Sequence, residues 1–380
     1  MSGIHLVEDT ISKEEIEELS KWLLTNPRLT KGAKTLEFES EWSNWNNCKN
    51  SLFVNSGSSA NLIMAAALKY TKNLKNNKVI APAVSWGTTV APFMQLGFNV
   101  ELCDSDPDTL GLNLDHLTQL IDKHNPAAII LVHVLGCPNK MNEIVKLCKE
   151  NDIILLEDCC ESHGSLYDGK KVGTFGDMST FSFYYGHHMS TIEGGMVCFN
   201  TDKFYEISLM LRSHGWIRDL SKDRQNQLIR EHNIGEFDSL YFFLVPGFNV
   251  RSTDLNAFLG LSQLERLNEK VERRSTIWKM YKDLLGNKVQ TQNPINSKVS
   301  PLSFGLMSSQ RNKIAKALTD RDIECRPLIC GSIHLHPFWK KDVILRNASL
   351  VHHNGMYVPV HDKLKDEDIQ MICDIILENC

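Results

Sequence analysis

From about residue 50 onward, short apolar runs alternate with segments whose apolar residues recur every three or four positions. The runs NKVIAP (77–82), FNVELCD (98–104), AAIILVHV (127–134) and DIILLED (152–158) predict buried strands. Between them, residues 55–71, 113–123 and 140–150 carry helical spacing. STFSF (179–183) and GMVCF (195–199) read as strand pieces flanking a loop. Upstream, Ser12 followed by Glu15 forms a capping box that opens a helix reaching to Leu24. Strands alternating with helices at this spacing predict an α/β fold, a largely parallel sheet between helices. Ligands of such sheets sit at the carboxyl ends of the strands. After Arg251 the texture changes to one long amphipathic helix over 254–286, followed by short strands and a helix within 307–321. The division expected is a large unit over 1–253, whose N-terminal segment packs on the smaller one, and a bridging helix plus small α/β unit over 254–380.

Composition agrees with two globular units. The chain has 380 residues, 42% of them apolar and 23% charged, which is ample for a core. Lys+Arg total 41 against 46 Asp+Glu, a net charge of −5. No basic patch stands out, so neither nucleic acid nor an anionic membrane is an expected partner. The opening MSGIHLVEDT lacks a basic stretch leading into an apolar run, and no long apolar window follows, so a cytoplasmic chain is expected. Eleven cysteines are then expected to be reduced; their number is odd, and none forms a CxxC pair.

Three features fall where strand ends should meet. Asn55-Ser56-Gly57-Ser58-Ser59-Ala60 is a small-residue turn opening a helix, suited to a phosphate or simply a capped helix start. Glu157-Asp158 ends an apolar strand, where a carboxylate could hold a cationic ring nitrogen, cap a helix or make a salt bridge. The loop from Ser182 to Gly195 is aromatic, polar and glycine-rich, with His187 and His188 open to roles as ligand, base or surface residue.

Taken in order, these features resemble the sugar-nucleotide branch of the fold-type I aminotransferases, which use pyridoxal phosphate. The resemblance rests on Gly57-Ser58-Ser59-Ala60, on Pro82 through Trp86, on Glu157-Asp158 with Glu161, and on Ser182 through Gly195. Gly247-Phe248-Asn249-Val250-Arg251 and Arg326-Pro327 extend it over most of the chain. It implies that Gly57, Ser58, Trp86, Asp158, Glu161 and Ser182 hold the cofactor. It further implies that Asn249 reaches it from the neighbouring subunit of a homodimer. His214, Arg251 and Arg326 are implied as contacts to substrate or to the glutamate carboxylate.

One departure carries the functional expectation. Five residues after Ser182 and six before Glu193 the family has its cofactor-binding lysine; this chain has His187. An imidazole has no primary amine to condense with the cofactor's aldehyde, but it can move protons near neutral pH. That exchange is shared with the sugar 3-dehydratases of the branch, which Ser213-His214-Gly215-Trp216 and Glu324-Cys325-Arg326-Pro327-Leu328 also resemble. The implied activity removes the C3 hydroxyl of a GDP-linked 4-keto-6-deoxy sugar with pyridoxamine 5'-phosphate, which L-glutamate regenerates from pyridoxal 5'-phosphate. His187 is the implied catalytic residue, base and then acid. Some such dehydratases carry an iron–sulfur cluster, which needs several closely spaced cysteines. Here Cys198 is followed by no other until Cys325, so no iron–sulfur cluster and no metal site are expected. Two alternatives remain: a dehydratase for another nucleotide sugar working with a separate reductase, and a silent cofactor- or sugar-binding sensor.

Overall fold

The computed structural model describes residues 3–380. Helix α1 (Lys13–Leu23) opens on the expected capping box: Ser12 Oγ accepts the Glu15 N–H at 3.2 Å, and Glu15 accepts the Ser12 N–H at 2.7 Å. Helix α2 (Ala33–Asn46) follows, burying Phe38 and Trp42. Strands and helices then alternate as β1 (Asn50–Val54), α3 (Gly57–Tyr70), β2 (Lys78–Pro82), α4 (Gly87–Gln95), β3 (Asn99–Cys103), α5 (Leu114–His124), β4 (Ala128–Val132), α6 (Met141–Glu150) and β5 (Ile154–Asp158). Two short strands, β6 (Leu166–Tyr167) and β7 (Lys170–Lys171), precede β8 (Met178–Ser182) and β9 (Gly195–Phe199).

The main sheet has the order β1-β9-β8-β5-β4-β2-β3. Pairing is parallel from β3 across to β8, whereas β9 runs antiparallel to both β8 and β1. The central strand β4 is AIILV and is buried throughout, because helices cover both faces. Ile63, Met64 and Leu68 of α3 pack on one face, and Leu117, Ile121 and Ile144 of α5 and α6 on the other. Register places Val132, Asp158 and Thr180 side by side at the carboxyl end of the sheet.

Helices α7 (Tyr205–Arg212) and α8 (Lys222–Glu231) lead to α9 (Asp254–Glu265) and α10 (Leu267–Leu285). The single helix expected over 254–286 is thus two, interrupted at Arg266, where ψ opens to 0°. The two halves serve different layers. The Asp254 carboxylate caps α2, accepting the N–H groups of Gly32 at 2.7 Å and Thr35 at 3.0 Å. Helix α10 leaves that layer after Leu267 and Val271 and packs on the second core with Ile277, Tyr281 and Leu285.

That second core lies under the sheet β10-β12-β14-β13. In chain order its surroundings are β10 (Gln290–Thr291), β11 (Ser297–Lys298), β12 (Phe304–Met307), α11 (Arg311–Thr319), β13 (Arg326–Pro327), α12 (Arg346–Asn354), β14 (Gly355–Val358) and α13 (Asp366–Asn379). Strand β11 leaves to pair with β6 beside the main sheet. The N-terminal segment bridges the small sheet's layer, pairing Ile4 with Ile323. It then crosses to the histidine loop, where a Cβ on Gly186 (φ +94°) would meet Val7 at 2.6 Å. Glycine answers both the left-handed backbone and that close approach. No helix among the described residues is long and apolar enough to cross a membrane.

Candidate active site

A cavity of about 380 Å³ opens at the carboxyl ends of β4, β5 and β8. Gly57, Ser58, Trp86, Asp158, Glu161, Ser182 and His187 all line it, so seven residues singled out from the sequence meet in one place. Leu302, Ile329 and Tyr357 close it from the C-terminal part of the chain.

Asp158 sits at the floor, buried, as the last residue of β5. Its Oδ2 accepts from Asn61 Nδ2 at 2.9 Å and from Thr89 Oγ1 at 2.8 Å, and its Oδ1 accepts the Cys160 N–H at 3.1 Å. Asn61 is itself oriented, since its amide oxygen takes the Thr180 hydroxyl at 2.7 Å. A carboxylate held by three donors, with a lone pair left over, can receive one further N–H. Sequence reading missed Asn61, Thr89 and Thr180. Asn61 had a signal: it is the one amide in the buried, apolar stretch of α3.

At the other end of the cavity α3 begins. Ser56 caps it by accepting the Ser59 N–H at 3.0 Å, which leaves the earlier amides of the turn for a ligand. A Cβ on Gly57 would stand 2.6 Å from Ser182 Cβ and 2.9 Å from Ser182 Oγ. This is a cradle that only glycine leaves open, with two serine hydroxyls, Ser58 and Ser182, on its walls. Trp86, preceding α4, is 58% exposed at the rim rather than packed in the core. A phosphate cradle, a flat aromatic wall and a buried carboxylate fit a phosphorylated pyridinium ring.

His187 lies beside this set, half-buried, with Nδ1 enclosed and without a partner, which leaves Nε2 to face the cavity. Burial and the Arg274 guanidinium push its pKa down to about 4, against the Cys160 carbonyl, which favours a proton. Behind it stand His163 and His188, both buried. The rings of His163 and His188 stack at 4.8 Å and 28°, and His163 lies 6.2 Å from His187. Burial holds both well below the usual histidine range. His188 donates from Nε2 to the Ser300 carbonyl, 3.0 Å away, so it is a packed neighbour and His187 the cavity residue. Glu161 shows the opposite shift: burial raises its carboxyl to about 8, although the Leu135 N–H, 2.7 Å away, favours the charged form.

The remaining candidates lie outside this chain's cavity. Asn249 is exposed and bridges to Ser213. Arg251 Nη2 is 3.5 Å from His214 Nε2, and Arg251 lines a separate cleft with Arg28, Lys31 and Arg218. Arg326 is exposed on β13 and donates to the Cys325 carbonyl. His133, Glu157 and Cys159 cluster closely enough for a metal. However, the Glu157 carboxylate already accepts the N–H groups of Gly173, Phe175 and Gly176, and it pins the following loop instead.

A family model described as the DegT/DnrJ/EryC1/StrS aminotransferase family matches residues 9–377. The chain is 32% identical to a GDP-4-keto-6-deoxy-D-mannose 3-dehydratase of Yersinia pseudotuberculosis, over 99% of this chain and 98% of that one. Its structure superposes on the GDP-4-keto-6-deoxy-D-mannose-3-dehydratase of E. coli with bound hydrated PLP at a TM-score of 0.89, with 29% identity over 99% of each chain. A second solved structure of a dehydratase of that name holds a trapped PLP-glutamate geminal diamine; it matches at a TM-score of 0.88 and 29% identity, over 97% of this chain and 99% of that one.

Proposed function

The chain belongs to the DegT/DnrJ/EryC1/StrS aminotransferase family, and on that premise we propose that it removes the C3 hydroxyl of GDP-4-keto-6-deoxy-D-mannose, using pyridoxamine phosphate and L-glutamate. The observation that carries this reading is His187: an imidazole at the cavity wall, beside Asp158, where the family has its lysine. The similarity to dehydratases named for this substrate supports the same choice.

The Gly57 and Ser58 amides with the Ser58 and Ser182 hydroxyls hold the cofactor phosphate, Trp86 covers the ring, and Asp158 receives its N–H. When bound, the cofactor supplies the amine that condenses with the sugar's C4 ketone and a ring that draws electrons from the reacting carbons. Asp158 keeps that ring protonated through a charge-assisted bond, and Asn61 and Thr89 hold Asp158 in place. Without a lysine tether, cofactor retention rests on non-covalent contacts such as these. His187 takes up a proton at Nε2 and delivers it to the departing C3 oxygen, so one group is base and then acid. Glu161, neutral at physiological pH, offers a hydrogen bond as a donor. Leu302, Ile329 and Tyr357 exclude water from the C-terminal side.

The balance closes without a separate reductase. The sugar exchanges its C3 hydroxyl for hydrogen, and glutamate supplies the two electrons, leaving as 2-oxoglutarate and ammonia. Asn249, exposed on its own subunit, completes the partner's phosphate site in a homodimer, with His214 and Arg251 on the same surface as substrate contacts. Incubating the protein with pyridoxal phosphate, glutamate and a panel of nucleotide-linked 4-keto-6-deoxy sugars tests this reading. Ammonia and 2-oxoglutarate are expected with the GDP-mannose derivative; turnover confined to another nucleotide sugar overturns the substrate, and none with any member overturns the enzyme.

A further inference from the structure

We propose that Arg274 is a positioning residue for His187: its guanidinium, held among backbone carbonyls behind three packed imidazoles, keeps the base proton-free at rest and ready to release any proton it accepts. This rests on the reading of His187 as base and then acid.

Arg274 is 2% exposed in α10. Its Nη1 donates to the carbonyls of Pro301 at 3.1 Å, Leu302 at 3.0 Å and Val360 at 2.7 Å, and it forms no ion pair among the described residues. Carbonyl dipoles solvate a buried cation without cancelling its charge. The same carbonyl strip leads to the active site. Leu302 lines the cavity, and Ser300, two residues earlier, bonds His188. His188 stacks on His163, and His163 approaches His187. The other rings against His163 are those of Trp42, Phe181 and Phe183, 5.4–5.9 Å away, none of which could stabilise an imidazolium by ionising.

The groups facing His187 pull in both directions. From the end of β5 come Asp158, committed to three donors, the Cys160 thiol and the neutral Glu161. Its own loop adds Tyr184 and exposed Glu193, and β14 adds Tyr357. Asp362, Lys270 and His361 are the titratable groups that interact with Arg274 from its other neighbours. Burial first, and Arg274 with it, outweigh the Cys160 carbonyl, which favours the proton. At about 4 rather than the ordinary 6.5, a protonated His187 is roughly 300-fold the stronger acid. That bias suits expulsion of a hydroxyl, the harder half of the proton's journey.

Histidine-labelled full-length protein, without cofactor, is titrated by nitrogen NMR, with His187→Asn assigning the signal. The wild type should show residue 187 neutral down to about pH 5. Arg274→Gln keeps a donor for the carbonyls and removes the charge; its midpoint should rise by about one pH unit or more. Arg274→Lys restores the charge and should restore the low midpoint. An unmoved midpoint in Arg274→Gln, or an equal rise in Arg274→Lys, overturns the proposal. If Arg274→Gln does not fold, a wild-type midpoint near 6.5 overturns it and a low one with Arg274→Lys unshifted supports it. A depressed midpoint that Arg274→Gln raises, in a protein that turns over no nucleotide sugar, refutes the proposed function while leaving Arg274's hold on His187 intact.

Discussion

Replacing Glu161 by glutamine isolates the electrostatic character of the cavity. Burial lifts this carboxyl from 4.5 to about 8, while the Leu135 N–H stays bonded to it. The unfolded chain ionises Glu161 near its ordinary value, whereas the folded chain keeps the proton until about pH 8. The stability that the neutral, buried carboxyl contributes is therefore complete below the unfolded value and is lost as pH rises through the folded one. The difference of 8 − 4.5 corresponds to roughly 5 kcal/mol, since each pKa unit is worth about 1.4 kcal/mol. Glu161→Gln preserves shape and the acceptor for Leu135 but cannot titrate. Urea unfolding of cofactor-free protein at about pH 5, 7 and 9 measures the difference between variant and wild type. That difference should move in favour of the variant by about 4 kcal/mol across the span, most of it below pH 8. A pH-independent difference would refute the claim that the cavity holds a neutral carboxylic acid.

Further outcomes follow from the same geometry. His187→Lys should acquire a borohydride-trappable covalent link between residue 187 and pyridoxal phosphate, absent from the wild type, and lose dehydration; wild-type dehydration in that variant would remove His187 from its role. Gly57→Ala places a methyl 2.6 Å from Ser182 Cβ; overpacking of about 1–3 kcal/mol should weaken cofactor binding roughly 10- to 100-fold in an absorbance titration. On the acid side the sign is the reverse of Glu161. His187 is depressed, so its stability contribution is present above pH 6.5 and is lost as pH falls towards 4. His187→Asn should therefore lose about 2–3 kcal/mol less than wild type between about pH 7 and pH 4.5 in chemical unfolding.

The strands β2 to β5 are legible in the sequence because a parallel strand covered on both faces reads as an unbroken apolar run. The site residues on their carboxyl ends are legible for a related reason: Asp158 interrupts such a run, and Gly57 and Ser58 open a helix after one. The break at Arg266 is not legible, because the helical spacing continues unchanged on either side and only tertiary packing turns α10 away from α9. Leu302, Ile329 and Tyr357 come from separate segments far along the chain and carry no motif. His163 illustrates a further limit. Its place in the loop after β5 is visible as Cys160-Glu161-Ser162-His163, but its stacking on His188 arises only when β5 and β8 lie side by side.

With His187 in the lysine's place, this fold removes an oxygen where its lysine-bearing relatives would transfer an amine. Mass spectrometry of the nucleotide sugar recovered after reaction of GDP-4-keto-6-deoxy-D-mannose with the protein, pyridoxal phosphate and glutamate tests it most directly. The expected product is lighter than the substrate by one oxygen atom and forms without added reductase. A product that keeps its C3 hydroxyl and gains an amine at C4 would contradict it.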